Sequence, residues 1–141
     1  SSGKGCRQCP DRSPAGFAPD GGTVDVRRGG FSRAAGETVM RRVLEEHPPR
    51  GIVVFGANDV VAIGAAAAIR LGGREVGADI AVAGFDDIPL ARDVTPGLST
   101  VRIPLETIGA EALRLALADD PAPARPVPAE VVLRASTPDL R

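Results

Sequence analysis

Hydrophobic residues along the chain fall into two patterns that alternate with each other. Continuous apolar runs, GIVVFG at 51–56 and IAVAGF at 80–85, are typical of strands that are buried on both faces of a sheet. Apolar residues at helical spacing predict helices around and between these runs. We therefore predict helices at 32–46, from Asn58 or Asp59 to 71, and at 104–118, with shorter extended segments at 23–27, 98–103 and 130–134.

The order of these elements predicts the fold class. Strands that alternate with helices of about a dozen residues indicate βαβ units. We expect an α/β fold in three layers, in which helices cover both faces of a parallel sheet. Residues 1–22 show no periodicity and contain Pro10, Pro14 and Pro19, which predicts an irregular N-terminal segment. A single domain then occupies 23–141.

Composition narrows the classes of protein that fit. Aromatic residues make up only 3% of the chain, so Val, Ile, Leu and Ala must build the core. The net charge of −1 lacks the basic excess expected of a domain that binds nucleic acid. No apolar run reaches the length of a membrane span, and the chain does not start like a signal peptide. We expect a cytoplasmic protein without membrane contact.

Polar and aromatic side chains follow three of the predicted strands. Phe31 follows the first, Asn58 and Asp59 follow the second, and Asp86 and Asp87 follow the third. Open parallel sheets bind ligands just beyond the carboxyl ends of their strands. An aromatic face, an amide and a carboxylate together suit a sugar, since the ring covers C–H groups while the polar groups bond to hydroxyls.

Each of these residues also has a structural explanation. Asn58 or Asp59 fits the N-cap of the following helix. The pair Asp86 and Asp87 fits a turn, and Phe31 fits a core that has few aromatic residues to use. These alternatives stay open on the sequence alone.

Other chemistries find less support in the chain. Cys6 and Cys9 form a C-x-x-C pair without the strand and helix of a redox motif, and His47 is the only histidine available to complete a zinc site. A phosphoacceptor site built on 86–87 would need a nearby lysine, but the only lysine is Lys4. We expect no catalytic residue, metal or cofactor.

Three motifs in order resemble the LacI/GalR family of transcription regulators. They are AND-x-x-A-x-G-A from 57, V-G-x-D-I-x-V-x-G-F-D-D at 76–87, and T-P-x-L-[ST]-T-V at 95–101. The resemblance extends back to GGFS at 29–32 and forward to AEVVLRAST at 129–137.

The resemblance implies a type I periplasmic-binding-protein-like fold, of which this chain would form the C-terminal subdomain and a crossover helix. In that family two subdomains clasp a small effector, and a separate helix-turn-helix domain reads DNA. Effector contacts would fall on Phe31, Asn58 and Asp86. A homodimer would pack around Ile63 and Val94.

The chain also departs from the family pattern. It contains no helix-turn-helix, so DNA would be reached only through a domain outside it, and 6–17 does not match the helix whose arginine grips effector in the family. The crossover helix would lack its own subdomain, which predicts weak protection for its apolar stripe. The expected function is the sensing of a carbohydrate-like effector for a regulator. A transport receptor of the same fold and an inactive fragment remain as alternatives.

Overall fold

The structure is a computed structural model that describes residues 24–46, 51–118 and 126–138. Helices and strands alternate along these residues as the hydrophobic pattern predicts. Ser32 starts the first helix by accepting the backbone N–H of Ala35 at 3.1 Å. The elements are α1 (Arg33–Glu46), β1 (Ile52–Phe55), α2 (Asp59–Leu71), β2 (Ile80–Ala83), α3 (Leu90–Asp93), β3 (Thr100–Arg102), α4 (Leu105–Ala116) and β4 (Glu130–Val132).

The strands form two pairs, β1-β2 and β3-β4, which isolated bridges join to each other. β1 and β2 pair in parallel, with Val53 opposite Ala81. Isolated parallel bridges, Ala83 to Ser99 and Asp86 to Arg102, join β2 to β3. β4 then pairs with β3 in the antiparallel direction. The predicted α/β fold with parallel strands is confirmed, and the carboxyl ends of β1 and β2 lie at the same edge.

Two predictions about strands are wrong. The described part of the predicted strand at 23–27 has no regular structure, because it does not pair with β1. β1 is not buried on both faces, since Val53 and Phe55 are 64% and 61% exposed. The predictions for Lys4, Cys6, Cys9 and His47, and for the irregular segment at 1–22, lie outside the described residues.

The core is centred on α2, whose middle consists almost entirely of small side chains. Residues 62–69 of this helix are all buried, and they include Ile63 and Ile69. Ile80 and Val82 of β2 pack against them, together with Met40 of α1. The apolar surface of α2 is therefore covered by α1 and by the sheet within one chain.

Two glycines set the distance between α1 and α2. A Cβ atom at Gly36 would overlap the carbonyl oxygen of Val61, and a Cβ atom at Gly64 would overlap that of Arg33. The two helix backbones consequently approach more closely than any larger residue at these positions would permit. The alanines of α2 extend the same close contact along the helix.

The helix α4 differs from the others because none of its residues is buried. Leu105 and Leu113 are 59% and 61% exposed, although the sequence spaces its apolar residues for one buried face. No helix in the described ranges has both the length and the apolar character needed to cross a membrane.

The close packing of α1 on α2 can be tested by adding a methyl group at Gly64, with Gly109 of α4 as the control position. Gly64→Ala adds a methyl group where the backbone of α1 already lies, so we expect a loss of about 1–3 kcal/mol in the free energy of unfolding. Gly109→Ala makes the same change in α4, where nothing lies within 4 Å of the added atom. There we expect a gain of up to about 1 kcal/mol from helix propensity. Urea unfolding measures both changes, and equal stability of the two variants would contradict the close approach of α1 and α2.

The exposure of α4 predicts its hydrogen exchange. Amides with few buried contacts open through local unfolding at a free energy well below that of the core. We expect the amides of 108–115 to exchange faster than those of 62–69, which are buried throughout. The measurement is hydrogen exchange by NMR on a chain shown to be monomeric by sedimentation. Equal protection of the two helices in the monomer would mean that α4 has a core of its own.

Candidate functional site

The carboxyl ends of β1 and β2 bring two predicted site residues close together. The N–H of Gly56 donates to the carbonyl of Ala83 at 2.8 Å, which continues the pairing past both strands. The N–H of Asp59 donates to the carbonyl of Phe85 at 2.8 Å. Asn58 and Asp86 each adjoin one partner of this last bond, so they lie side by side at the edge of the sheet.

Asn58 caps α2, as the structural alternative predicted. Its backbone is extended, with φ −150°, and its Oδ1 atom accepts the N–H of Val61 at 2.9 Å. The cap uses only the oxygen of the side chain. The amide nitrogen is bonded to no other described residue, so this half-buried group can still donate to a ligand.

Asp86 and Asp87 both adopt the left-handed backbone conformation, with φ of 108° and 55°. L-residues rarely occupy this region, although Asp tolerates it better than most. The bond from the N–H of Asp86 to the carbonyl of Val101, at 2.9 Å, attaches the turn to β3. The turn sends two adjacent carboxylates into different surroundings.

The carboxylate of Asp86 is half-buried and bonds to no other described residue. Burial raises the pKa of Asp86, and the negative charge of Asp59 raises it further. The described part of the fold therefore holds this carboxylate where its charge is disfavoured, without a bonding partner. Such a group is available to accept hydrogen bonds from a bound molecule.

Asp87 is in the opposite situation, with a side chain only 1% exposed. Its Oδ1 accepts from Arg134 at 2.6 Å and its Oδ2 accepts from Arg102 at 2.7 Å. Arg92 lies 3.5 Å from the same Oδ2 atom. Burial by itself raises the pKa of Asp87, but the hydrogen bonds and charges of Arg134 and Arg102 outweigh it and hold the pKa below its ordinary value.

Asp59 is fully buried at the first position of α2. Its Oδ1 accepts the hydroxyl of Thr100 at 2.5 Å, and its Oδ2 accepts the N–H of Ile88 at 2.8 Å. A Cβ atom at Gly84 would overlap Oδ1, so only glycine leaves room for this carboxylate. Asp59 is thus a structural residue, and Asp86 is the one carboxylate of 59, 86 and 87 without a partner among the described residues.

Phe31 is 77% exposed, so the core alternative for this residue is wrong. It lines a cavity of about 1290 Å³ together with Phe55, Gly56 and Ala57. The cavity lies between the 25–31 segment, α1, β1 and the first half of α2, where Val61 and Ala65 line it. Phe31 is therefore near the carboxyl end of β1, whereas Asn58 and Asp86 stand outside this lining. That all three face one ligand stays a prediction.

The predicted interface residues have different exposures. Ile63 is 5% exposed and belongs to the core, so a partner subunit would find little of its side chain uncovered. Val94 is half-buried and packs on the edge of the core. The homodimer through these residues stays a prediction.

Sequence reasoning missed the residues that hold the turn at 86–87. The sequence offers Asp59 as a ligand-binding residue or as a helix cap but not as a link to this turn, and Arg102 and Arg134 give no signal. Their partner Asp87 is 15 and 47 residues away along the chain, and only the folded sheet brings them together.

Comparison with known proteins decides the family. The family model for the periplasmic binding protein-like domain matches residues 15–137. The chain belongs to this family. The predicted resemblance of this periplasmic binding protein-like domain to the effector-binding region of LacI/GalR regulators is confirmed by its relatives.

The relatives are transcription regulators. The ribose operon repressor of Escherichia coli (strain K12) is 40% identical over 95 residues, which cover 67% of this chain and 28% of the repressor. A LacI family regulator from Arthrobacter sp. FB24 in complex with lactose has a TM-score of 0.66 at 30% identity, over 78% of this chain and 44% of that one. The lac repressor dimer bound to operator and an anti-inducer has a TM-score of 0.71 at 29% identity, over 82% and 42%. The chain spans little more than a quarter of the curated relative.

The lowered pKa of Asp87 predicts how stability depends on pH. A carboxyl group whose pKa is lowered by folding contributes stability above its unfolded pKa of about 3.9, and this contribution is lost as the pH falls through the folded value. At about pH 7 we expect Asp87→Asn to lower the free energy of unfolding by about 2 kcal/mol, the order of a hydrogen bond to a charged group. Below about pH 3 the difference from the parent chain should shrink.

Urea unfolding at several pH values measures this difference. Asp93→Asn is the matched control, because Asp93 is exposed on α3 and forms no ion pair with another described residue. We expect this control to change stability little at any pH. If Asp87→Asn lowers the free energy of unfolding by the same amount at neutral and acid pH, the ion pairs of Asp87 with Arg102 and Arg134 do not stabilise the fold.

Proposed function

We propose that this chain is part of the effector-binding region of a LacI-type transcription regulator and that its effector is a sugar or a similar polyhydroxylated molecule. The unpartnered carboxylate of Asp86 carries the proposal. It stands at the common end of two parallel strands, which is where open α/β sheets bind ligands. Neither helix capping nor turn formation requires its charge.

The neighbouring groups match the chemistry of a sugar. The amide nitrogen of Asn58 donates and the carboxylate of Asp86 accepts, so a pair of hydroxyl groups could bond to both. Phe31 offers an exposed ring near the carboxyl end of β1, which suits the C–H face of a pyranose or furanose. The lactose complex of the Arthrobacter relative supports this substrate class.

The relatives favour a regulator over a transport receptor, because the curated relative described above is an operon repressor and the two solved structures described above are of transcription regulators. A regulator acts on DNA in the cytoplasm, and no enzymatic step is needed for that role. The net charge of −1 supports DNA contact through a domain outside this chain. The lac repressor dimer supports a homodimer. Of the two predicted interface residues, Val94 offers a partner more surface than Ile63, which lies in the core.

The proposal is tested by titrating the chain with a panel of pentoses, hexoses and disaccharides that includes D-ribose and lactose. Amide signals in NMR spectra report each addition, up to millimolar concentrations and above. We expect at least one sugar to shift the signals of Asn58 and Asp86 saturably, and the affinity to be low. The absence of any saturable shift at these residues across the panel would overturn the proposal.

Two variants separate binding from structure. Asp86→Asn removes a charge that folding disfavours, and Asn tolerates the left-handed region, so we expect stability to stay equal or to rise while the sugar response is lost. Asn58→Ser retains a capping oxygen but lacks the amide. We expect it to keep most of the stability and to weaken the response. A clear fall in stability for Asp86→Asn would indicate a structural role instead.

A further inference from the structure

We infer that Asp59 and Asp87 are positioning residues that hold Asp86 in its left-handed conformation and so present its carboxylate to a ligand. The inference rests on the proposed function of Asp86. Neither positioning residue needs to touch the ligand, because both carboxylates are already fully bonded within the fold. The two act on the turn from different sides.

Asp59 forms hydrogen bonds on both sides of the two strained residues, Asp86 and Asp87. Its backbone N–H donates to the carbonyl of Phe85, immediately before the turn, at 2.8 Å. Its carboxylate accepts the N–H of Ile88, immediately after the turn, at 2.8 Å. One buried residue at the start of α2 thereby fixes both ends of the 86–87 pair. The hydroxyl of Thr100 orients that carboxylate from β3 at 2.5 Å.

Asp87 fixes the direction in which the turn faces. Its side chain reaches Arg134 and Arg102, which belong to the C-terminal segment and to β3. Arg134 is held in turn, since it donates to the carbonyl of Leu98 at 2.6 Å. With the carboxylate of Asp87 bound among these arginines, the neighbouring carboxylate of Asp86 is left outside the cage. Strained backbone of this kind persists only where the surrounding structure over-determines it.

The inference predicts what happens when either restraint is removed. In Asp59→Ala and in Asp87→Ala we expect the backbone at Asp86 to relax to an extended conformation with negative φ. The three-bond coupling between its amide proton and α proton should rise from a small to a large value, and its backbone carbon shifts should change accordingly. Asp59→Asn is the conservative rescue, because its amide can still accept from Ile88 and donate to Thr100. There the coupling should stay small.

Two further variants keep the test decisive. Ile69→Val lowers stability through a small cavity at the far end of α2, and we expect no change in the coupling at Asp86. Thr100→Val removes one bond to Asp59 and preserves the shape of the side chain. If Asp59→Ala fails to fold, Thr100→Val should still raise the coupling, to a smaller extent.

The sugar that responds in the panel provides a second readout. We expect the alanine variants to bind this sugar at least about tenfold more weakly. A loss of this size is typical when a residue that orients a metal ligand through a hydrogen bond is removed. An unchanged coupling at Asp86 in the folded variants would overturn the inference. So would an undiminished sugar response in these variants, which would leave the proposed function standing. A raised coupling together with no sugar response in the parent chain would support the positioning and overturn the proposed function.

Discussion

The buried carboxylate of Asp59 is the interaction on which the rest of this structure depends. It joins the start of α2, the turn that follows β2 and the first residue of β3, through the N–H of Ile88 and the hydroxyl of Thr100. A buried carboxylate is tolerated only when its bonding is satisfied, and here both oxygens have partners. The residue also donates its own N–H to the sheet. Three elements that are far apart in the chain are therefore held together by one side chain.

A second constraint is the scarcity of large side chains, which the fold meets by close packing of backbones. Gly36 and Gly64 let α1 and α2 approach until a methyl group would not fit between them. The alanines of α2 then contribute through dispersion contacts at short distance, since interiors are packed as densely as crystals. A core without Trp or Tyr is thus compact around one helix, while one face of β1 and the whole of α4 keep exposed apolar residues such as Phe55 and Leu113.

The hydrophobic pattern was sufficient to predict α1, α2 and α4 and the alternation of helices with strands, because period and capping are local properties. Asn58 at its N-cap and the apolar run before it could be placed from a few neighbouring residues. The burial of β1 could not, since a run such as IVVF reads the same whether one face or both are covered. The arginines that surround Asp87 could not be predicted either. Arg134 resembles any other arginine until β3 and the C-terminal segment pair, and no local signal separates Asp59 as a structural residue from Asp59 as a cap.

The adjacent aspartates show why a motif alone cannot assign the ligand group. Asp86 and Asp87 have the same side chain and neighbouring positions, yet folding raises the pKa of one and lowers that of the other. The difference lies in the partners: arginines surround Asp87, whereas Asp86 has only burial and the negative charge of Asp59 nearby. A group that lowers stability and has no structural role is retained where function requires it. The fold stabilises Asp87 and leaves Asp86 unsatisfied, and it is the unsatisfied carboxylate that a hydroxyl-bearing ligand would complete.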